Sequence, residues 1–173
     1  MVHRNIHYEA AFEDYLRCRS LPYVAVDEGK KAIFGSIRLK SFDFIVYSES
    51  GANLLVDVKG RKFPDAISGV KRRASRAWEN WVTREDIEGL TEWQGVFGEG
   101  FEAVLLFAYW LQGPAGRSPF EDLHVFRENH YAFMGISLAE YAALARPRSQ
   151  KWQTLSVPAG EFSRRARDIT TFL

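Results

Sequence analysis

Hydrophobic and polar positions alternate along this chain in a few legible patterns. Over residues 7–19, Tyr8, Phe12, Tyr15, Leu16 and Arg19 fall near one stripe at the 3.6-residue spacing of a helix. "PYVAV" (22–26), "AIFGSIRL" (32–39) and "SFDFIVYS" (41–48) read as strands. "ESGA" (49–52) is turn chemistry and "NLLVDVKG" (53–60) returns as the next strand, which makes 41–60 a hairpin. "GVKRRASRAWENWV" (69–82) places Val70, Ala74, Ala77, Trp78 and Trp81 on one helical face. A further helix follows, with Thr83 and Asp86 in capping-box positions, Ile87, Leu90, Trp93 and Phe97 as its apolar stripe, and Gly98 and Gly100 at its end. "FEAVLLFAYWL" (101–111) is apolar on both faces, as a central strand covered by helices should be.

After the loop "GPAGRSP" (113–119), "LHVF" (123–126) and "HYAFMGIS" (130–137) predict a second hairpin. "LAEYAALA" (138–145) predicts a short helix, "KWQTLSV" (151–157) a strand, and Pro158 opens a last helix to about Arg167. No repeat, low-complexity tract or linker interrupts this order. The pattern predicts one α/β domain over residues 1–173.

Composition narrows the class. Hydrophobic content of 46% and aromatic content of 14% exclude a disordered chain. The single cysteine, Cys18, excludes an internal disulfide and a cysteine-based zinc site. The start, "MVHRNIHYEAAFEDYL", lacks the apolar centre of a signal peptide, and the longest apolar run, 103–111, falls short of the ~20 residues of a membrane span. The expectation is a soluble, cytoplasmic protein with no membrane contact. Net charge is +1, so no global field draws in nucleic acid. Lys59, Arg61, Lys62, Lys71, Arg72, Arg73 and Arg76 nevertheless crowd one segment with Asp65 as its one acid, and Arg164, Arg165 and Arg167 form a second cluster. Such a patch can hold phosphates in a neutral protein, or it can be a solvated face.

The candidate chemistry sits in the first hairpin. Strand alternation puts Leu55, Asp57 and Lys59 on one face and Leu54, Val56 and Val58 on the other. With the five-residue loop 48–52, Tyr47 faces Asn53 and Asp43 faces Asp57. Opposed residues sit ~5 Å apart at Cβ, a distance at which two carboxylates repel unless a cation lies between them. Magnesium, which prefers hard oxygen ligands, answers that need. On the first helix Glu9 lies at the edge of the apolar stripe and Glu13 further toward solvent, so Glu9 is the acid able to join the site if the helix packs on the sheet.

"EAAFEDYLRCRSLPY" followed by "SFDFIVYSESGANLLVDVKGRK" resembles the PD-(D/E)xK nuclease superfamily, and most of all its Holliday-junction-resolvase-like branch. The resemblance covers roughly the first 60 residues. It implies the restriction-endonuclease-like fold, a three-layer α/β core of order αβββαβ with a mixed central sheet flanked by helices. It implies a metal-dependent phosphodiesterase, usually acting on DNA, in which Glu9, Asp43, Asp57 and Lys59 are catalytic. Phe42 stands where the family carries a proline, at a position that varies widely. Asp43, Asp57, Glu9 and the carbonyl of Val58 are then the expected ligands of Mg2+, with Mn2+ as substitute. Lys59 would orient or help deprotonate the attacking water and stabilise the transition state.

Arg61, Lys62, Arg72 and Arg73, just downstream, are the expected contacts to the nucleic-acid backbone. RNA is not separated from DNA by these residues, and a homodimer is compatible with them. The rival reading is a catalytically inactive nucleic-acid-binding or scaffold module of the same fold, against which stands the presence of all four site residues.

Other polar features read as ordinary. His3 and His7 stand at i, i+4 close to the chain start, and His124 and His130 flank a predicted turn. "GVFGEG" (95–100) lacks the order of a dinucleotide fingerprint and reads as a helix stop. Trp78, Trp81 and Trp93 read as core, and Gln94 as a residue that could approach the site from its helix.

Overall fold

The structure, a computed structural model, describes residues 6–26, 33–34, 37–65 and 77–173. Helix α1 (Ile6–Cys18) buries the stripe its periodicity predicts, with Tyr8, Ala11, Phe12, Tyr15 and Leu16 all in the core. The chain then enters a meander: β1 (Tyr23–Ala25), the two-residue pair β2 (Ile33–Phe34) and β3 (Ile37–Arg38), β4 (Phe44–Val46) and the long β5 (Asn53–Phe63). Within the predicted strand 32–39 the described residues form instead two short antiparallel strands, and the predicted strand 41–48 keeps its ladder only over its centre.

After β5 the chain must cross over, because β7 (Phe101–Leu111) runs parallel to it, from Asn53 opposite Phe101 to Phe63 opposite Leu111. The described part of that crossover is β6 (Val82–Thr83) and α2 (Arg84–Phe97). Thr83 and Asp86 form the expected capping box, the Thr83 hydroxyl accepting from the Asp86 amide at 3.1 Å and the Asp86 carboxylate from the Thr83 amide at 2.8 Å. Most of the helix predicted over 69–82 lies outside the described residues. Its end is corrected: Glu79, Asn80 and Trp81 are irregular, and Val82 and Thr83 pair with Leu155 and Thr154. A long-range pairing outweighs local helical spacing there.

The remaining elements are β8 (His124–Phe126), β9 (Asn129–Ser137), α3 (Leu138–Leu144), β10 (Arg146–Ser149), β11 (Thr154–Ser156), α4 (Ala159–Arg165) and β12 (Arg167–Asp168). The main sheet has the order β1-β4-β5-β7-β9-β12, with β8 also on β9, and β5/β7 is its parallel pair among antiparallel neighbours. β10, β11 and β6 make a small second sheet.

The main sheet separates two apolar layers. Leu54, Val56, Val58, Val104 and Leu106 pack under α1, while Leu55, Leu105, Phe107 and Tyr109 pack with Leu90 of α2, Tyr141 of α3 and Phe162 of α4. β7, buried on both faces, is the central strand its apolar run predicts. Gly60 fixes how close α1 comes: a Cβ there would lie 2.1 Å from the Tyr8 ring, so the aromatic rests on bare backbone. Among the described residues no helix is long and apolar enough to cross a membrane.

Candidate active site

The hairpin register is the one the loop length predicts. Phe44 pairs with Val56, Ile45 with Leu55 and Val46 with Leu54, and one step further Asp43 comes opposite Asp57. Both aspartates are buried at 6% exposure. β4 stops at Phe44, so at Asp43 a side chain takes over from the ladder: its Oδ2 accepts the Val58 amide at 2.6 Å. The Asp43 backbone stays anchored on both sides, its amide donating to the Val56 carbonyl at 2.9 Å and its carbonyl accepting from Val26 at 2.8 Å.

Lys59 folds back along the strand onto Asp57, its ammonium 2.9 Å from Oδ2 and 3.1 Å from Oδ1. The same ammonium lies 3.1 Å from Oδ1 of Asp86, in the first turn of α2, and Asp86 is also paired with Lys40. One carboxylate therefore caps its own helix and holds two lysines. Burial pushes the Asp57 carboxyl above the usual carboxylate range, Lys59 opposing this and Asp86 adding to it. Burial acts against the Lys59 charge, but the carboxylates of Asp57 and Asp86 outweigh it and hold the ammonium above its ordinary value. At Asp86 burial acts upward, and Lys59 with Lys40 overcomes it, bringing the carboxyl down to about 2.

The structure thus brings Asp43, Asp57 and Lys59 together. Glu9 stands on α1, in the layer across the sheet from Asp57 and Lys59. α1 covers the Leu54, Val56 and Val58 face, whereas Asp57 and Lys59 point to the face of α2. Glu9, half-buried in the first turn of α1, is one turn before Glu13, which accepts from Tyr23 of β1 at 2.8 Å and from Arg17 at 2.9 Å.

The basic residues also separate. Arg61, expected to reach a phosphate, is instead turned inward on the Asp57 and Lys59 face at 9% exposure. Its guanidinium donates to the carbonyls of Gly60 and Trp81 and stacks over the Trp81 ring at 4.2 Å, so it braces the segment before α2. Lys62 is exposed and lies over Trp110 at 5.5 Å. Arg72 and Arg73 lie outside the described residues. Gln94 does not approach the site: its Oε1 accepts the Ala103 amide at 2.8 Å, tying α2 to β7.

No protein-family model and no curated protein matches the chain. Among solved structures, it is similar to Hjc of Archaeoglobus fulgidus, a Holliday junction resolvase from an archaeal hyperthermophile, with a TM-score of 0.53. The likeness covers 96% of this chain and 97% of that one at 13% sequence identity. The chain has the restriction-endonuclease-like fold. Within that fold the residue that sequence reasoning missed is Asp86. Its capping-box position was legible, but its second contact, to Lys59, arises only when the crossover brings the α2 start over β5. Lys40, its other partner, carries no local signal beyond its charge.

Proposed function

We propose that this protein is a metal-dependent nuclease that hydrolyses phosphodiester bonds, with DNA as substrate. The observation that carries the reading is the buried pair Asp43 and Asp57 with the Lys59 ammonium beside it, on a fold shared with a Holliday junction resolvase. The donor set fits a hard divalent cation, Mg2+ or in its place Mn2+. Asp57 and Asp86 pair with the ammonium groups of Lys59 and Lys40, and with Asp43 buried opposite Asp57 a divalent ion would offset the surplus of negative charge.

Asp43, Asp57 and the Val58 carbonyl would hold the ion, with Glu9 completing the set from α1. The bound metal supplies Lewis-acid activation of water and of the scissile phosphate. Lys59, kept charged by Asp57 and Asp86, orients the attacking water and offsets the charge that grows on the phosphate oxygens. Asp86 keeps Lys59 aimed, and its place in the α2 cap makes that aim rigid. Lys62, with Arg72 and Arg73, contacts backbone phosphates away from the scissile bond. A crystal soaked in Mn2+ tests the reading: an anomalous peak between Asp43 and Asp57 is expected, and saturating Mn2+ that leaves this position without a peak would overturn it.

A further inference from the structure

On the outer side of α1, remote from Asp57, three side chains of different elements converge. Asp14 and Cys18 stand one helical turn apart, and His124 opens β8; their ligand atoms all lie within 4.8 Å of one another. Asp14 Oδ2 is 2.8 Å from His124 Nε2 and 3.8 Å from Cys18 Sγ. We infer that Asp14, Cys18 and His124 form a second metal site, selective for a thiophilic divalent cation such as Zn2+ and distinct from the Mg2+ site.

The ligand types decide the metal. A thiolate, an imidazole and a carboxylate suit Zn2+, which binds three protein ligands and a water in a tetrahedron. Mg2+, which demands oxygen ligands, is disfavoured by the sulfur. Zinc bond lengths place neighbouring tetrahedral ligand atoms roughly 3.3–3.7 Å apart. The Asp14–His124 separation needs to open by roughly half an ångström to reach that range, the Asp14–Cys18 separation lies just beyond its upper limit, and a rotation of the exposed Cys18 side chain would bring the sulfur in. One cysteine suffices for such a mixed site, unlike a cysteine-based one.

The site is partly built in advance. The His124 ring stands edge-on to Tyr15 at 5.5 Å and tilted against Phe133 at 6.2 Å. Tyr15 is itself fixed by donating to Asp122 at 2.9 Å. The imidazole is therefore held against aromatic packing before any ion arrives, which lowers the entropy cost of binding. Cys18 is exposed and open to solvent, so the ion has an entry path. Occupied, the site would tie the C-terminal half of α1 to the outer hairpin β8–β9.

Titration of the metal-free, full-length protein with Co2+ tests this. The expected result is a tetrahedral visible spectrum and a near-ultraviolet thiolate-to-cobalt charge-transfer band that saturate together at one equivalent of thiolate-bound Co2+, both displaced by Zn2+. Cys18 is the one cysteine of the chain, so the band reports on it alone. Cys18→Ser should abolish the band, and His124→Gln should weaken Co2+ binding by more than the roughly tenfold that losing even an outer-shell partner costs. Asp57→Asn should leave the charge-transfer band and its titration midpoint unchanged, which separates this site from the proposed nuclease centre. A Co2+ spectrum without the band, a band that survives Cys18→Ser, or binding indifferent to His124→Gln would each overturn the proposal and leave Asp14 and His124 as a plain hydrogen-bonded pair.

Discussion

The ammonium of Lys59 and the carboxylate of Asp86 lie 3.1 Å apart, joining the strand of the proposed catalytic residues to the cap of the helix above it. Helix capping and lysine positioning thus depend on one side chain. Two substitutions separate them. Thr83→Ala removes the reciprocal cap and should cost ~1 kcal/mol of stability with cleavage within a few-fold of wild type. Asp86→Asn keeps an acceptor for the Thr83 amide but removes the charge, and should lower cleavage by about 10–100-fold. The loss should fall in kcat, with KM little changed, if Lys59 acts on the reacting phosphate as proposed. Equal effects of the two variants on kcat would reduce Asp86 to a cap.

The buried acids also give opposite signs of pH dependence, measurable by denaturant unfolding in EDTA. Asp86 has its folded value lowered to about 2, so its contribution is complete above the unfolded value of 3.8 and is lost as pH falls through the folded one. That difference is on the order of 2 kcal/mol, so Asp86→Asn should be less stable than wild type at pH 7 and approach it near pH 2. For Asp57 the folded value is raised by burial, so its ionisation costs stability as pH climbs above 3.8. Asp57→Asn should therefore be at least as stable as wild type at pH 7, since Lys59 retains Asp86. A loss of stability at Asp57→Asn as large as at Asp86→Asn would contradict this.

The hairpin was legible because its register depends on a short loop and on alternation, both local, so Asp43 could be set opposite Asp57 from residue types alone. The fold order followed from the same periodicities. What was not legible depends on distant partners. Trp78 and Trp81 stand at helical spacing, but Trp81 serves as a platform for Arg61, and Val82 with Thr83 finds a strand far along the chain. Arg61 sits in a basic run that reads as surface, although alternation already placed it on the face of Asp57 and Lys59, beneath α2. Which face α1 takes depends on packing against β4, β5 and β9, and periodicity within the helix cannot choose it.

That choice of face bears on the two acids of α1. Glu13 is engaged with Arg17 and Tyr23 at the surface, an arrangement worth a few tenths of a kcal/mol. Glu9→Gln should weaken metal-dependent cleavage strongly and leave the fold intact, while Glu13→Gln should stay within a few-fold of wild type. Rates of the two variants at matched Mg2+ decide between them. A dead Glu13→Gln with an active Glu9→Gln would reverse the assignment.

Cleavage of linear and four-way-branched DNA by wild type and Asp57→Asn tests most directly whether Asp43, Asp57 and Lys59 form a metal-dependent nuclease centre. Wild type should cut in Mg2+ or Mn2+ and be silent in EDTA, and Asp57→Asn should lose at least ~10²-fold, the scale of removing a group that stabilises transition-state charge. Cleavage that survives chelation, or an Asp57→Asn variant as active as wild type, would rule out a metal-dependent centre at these residues.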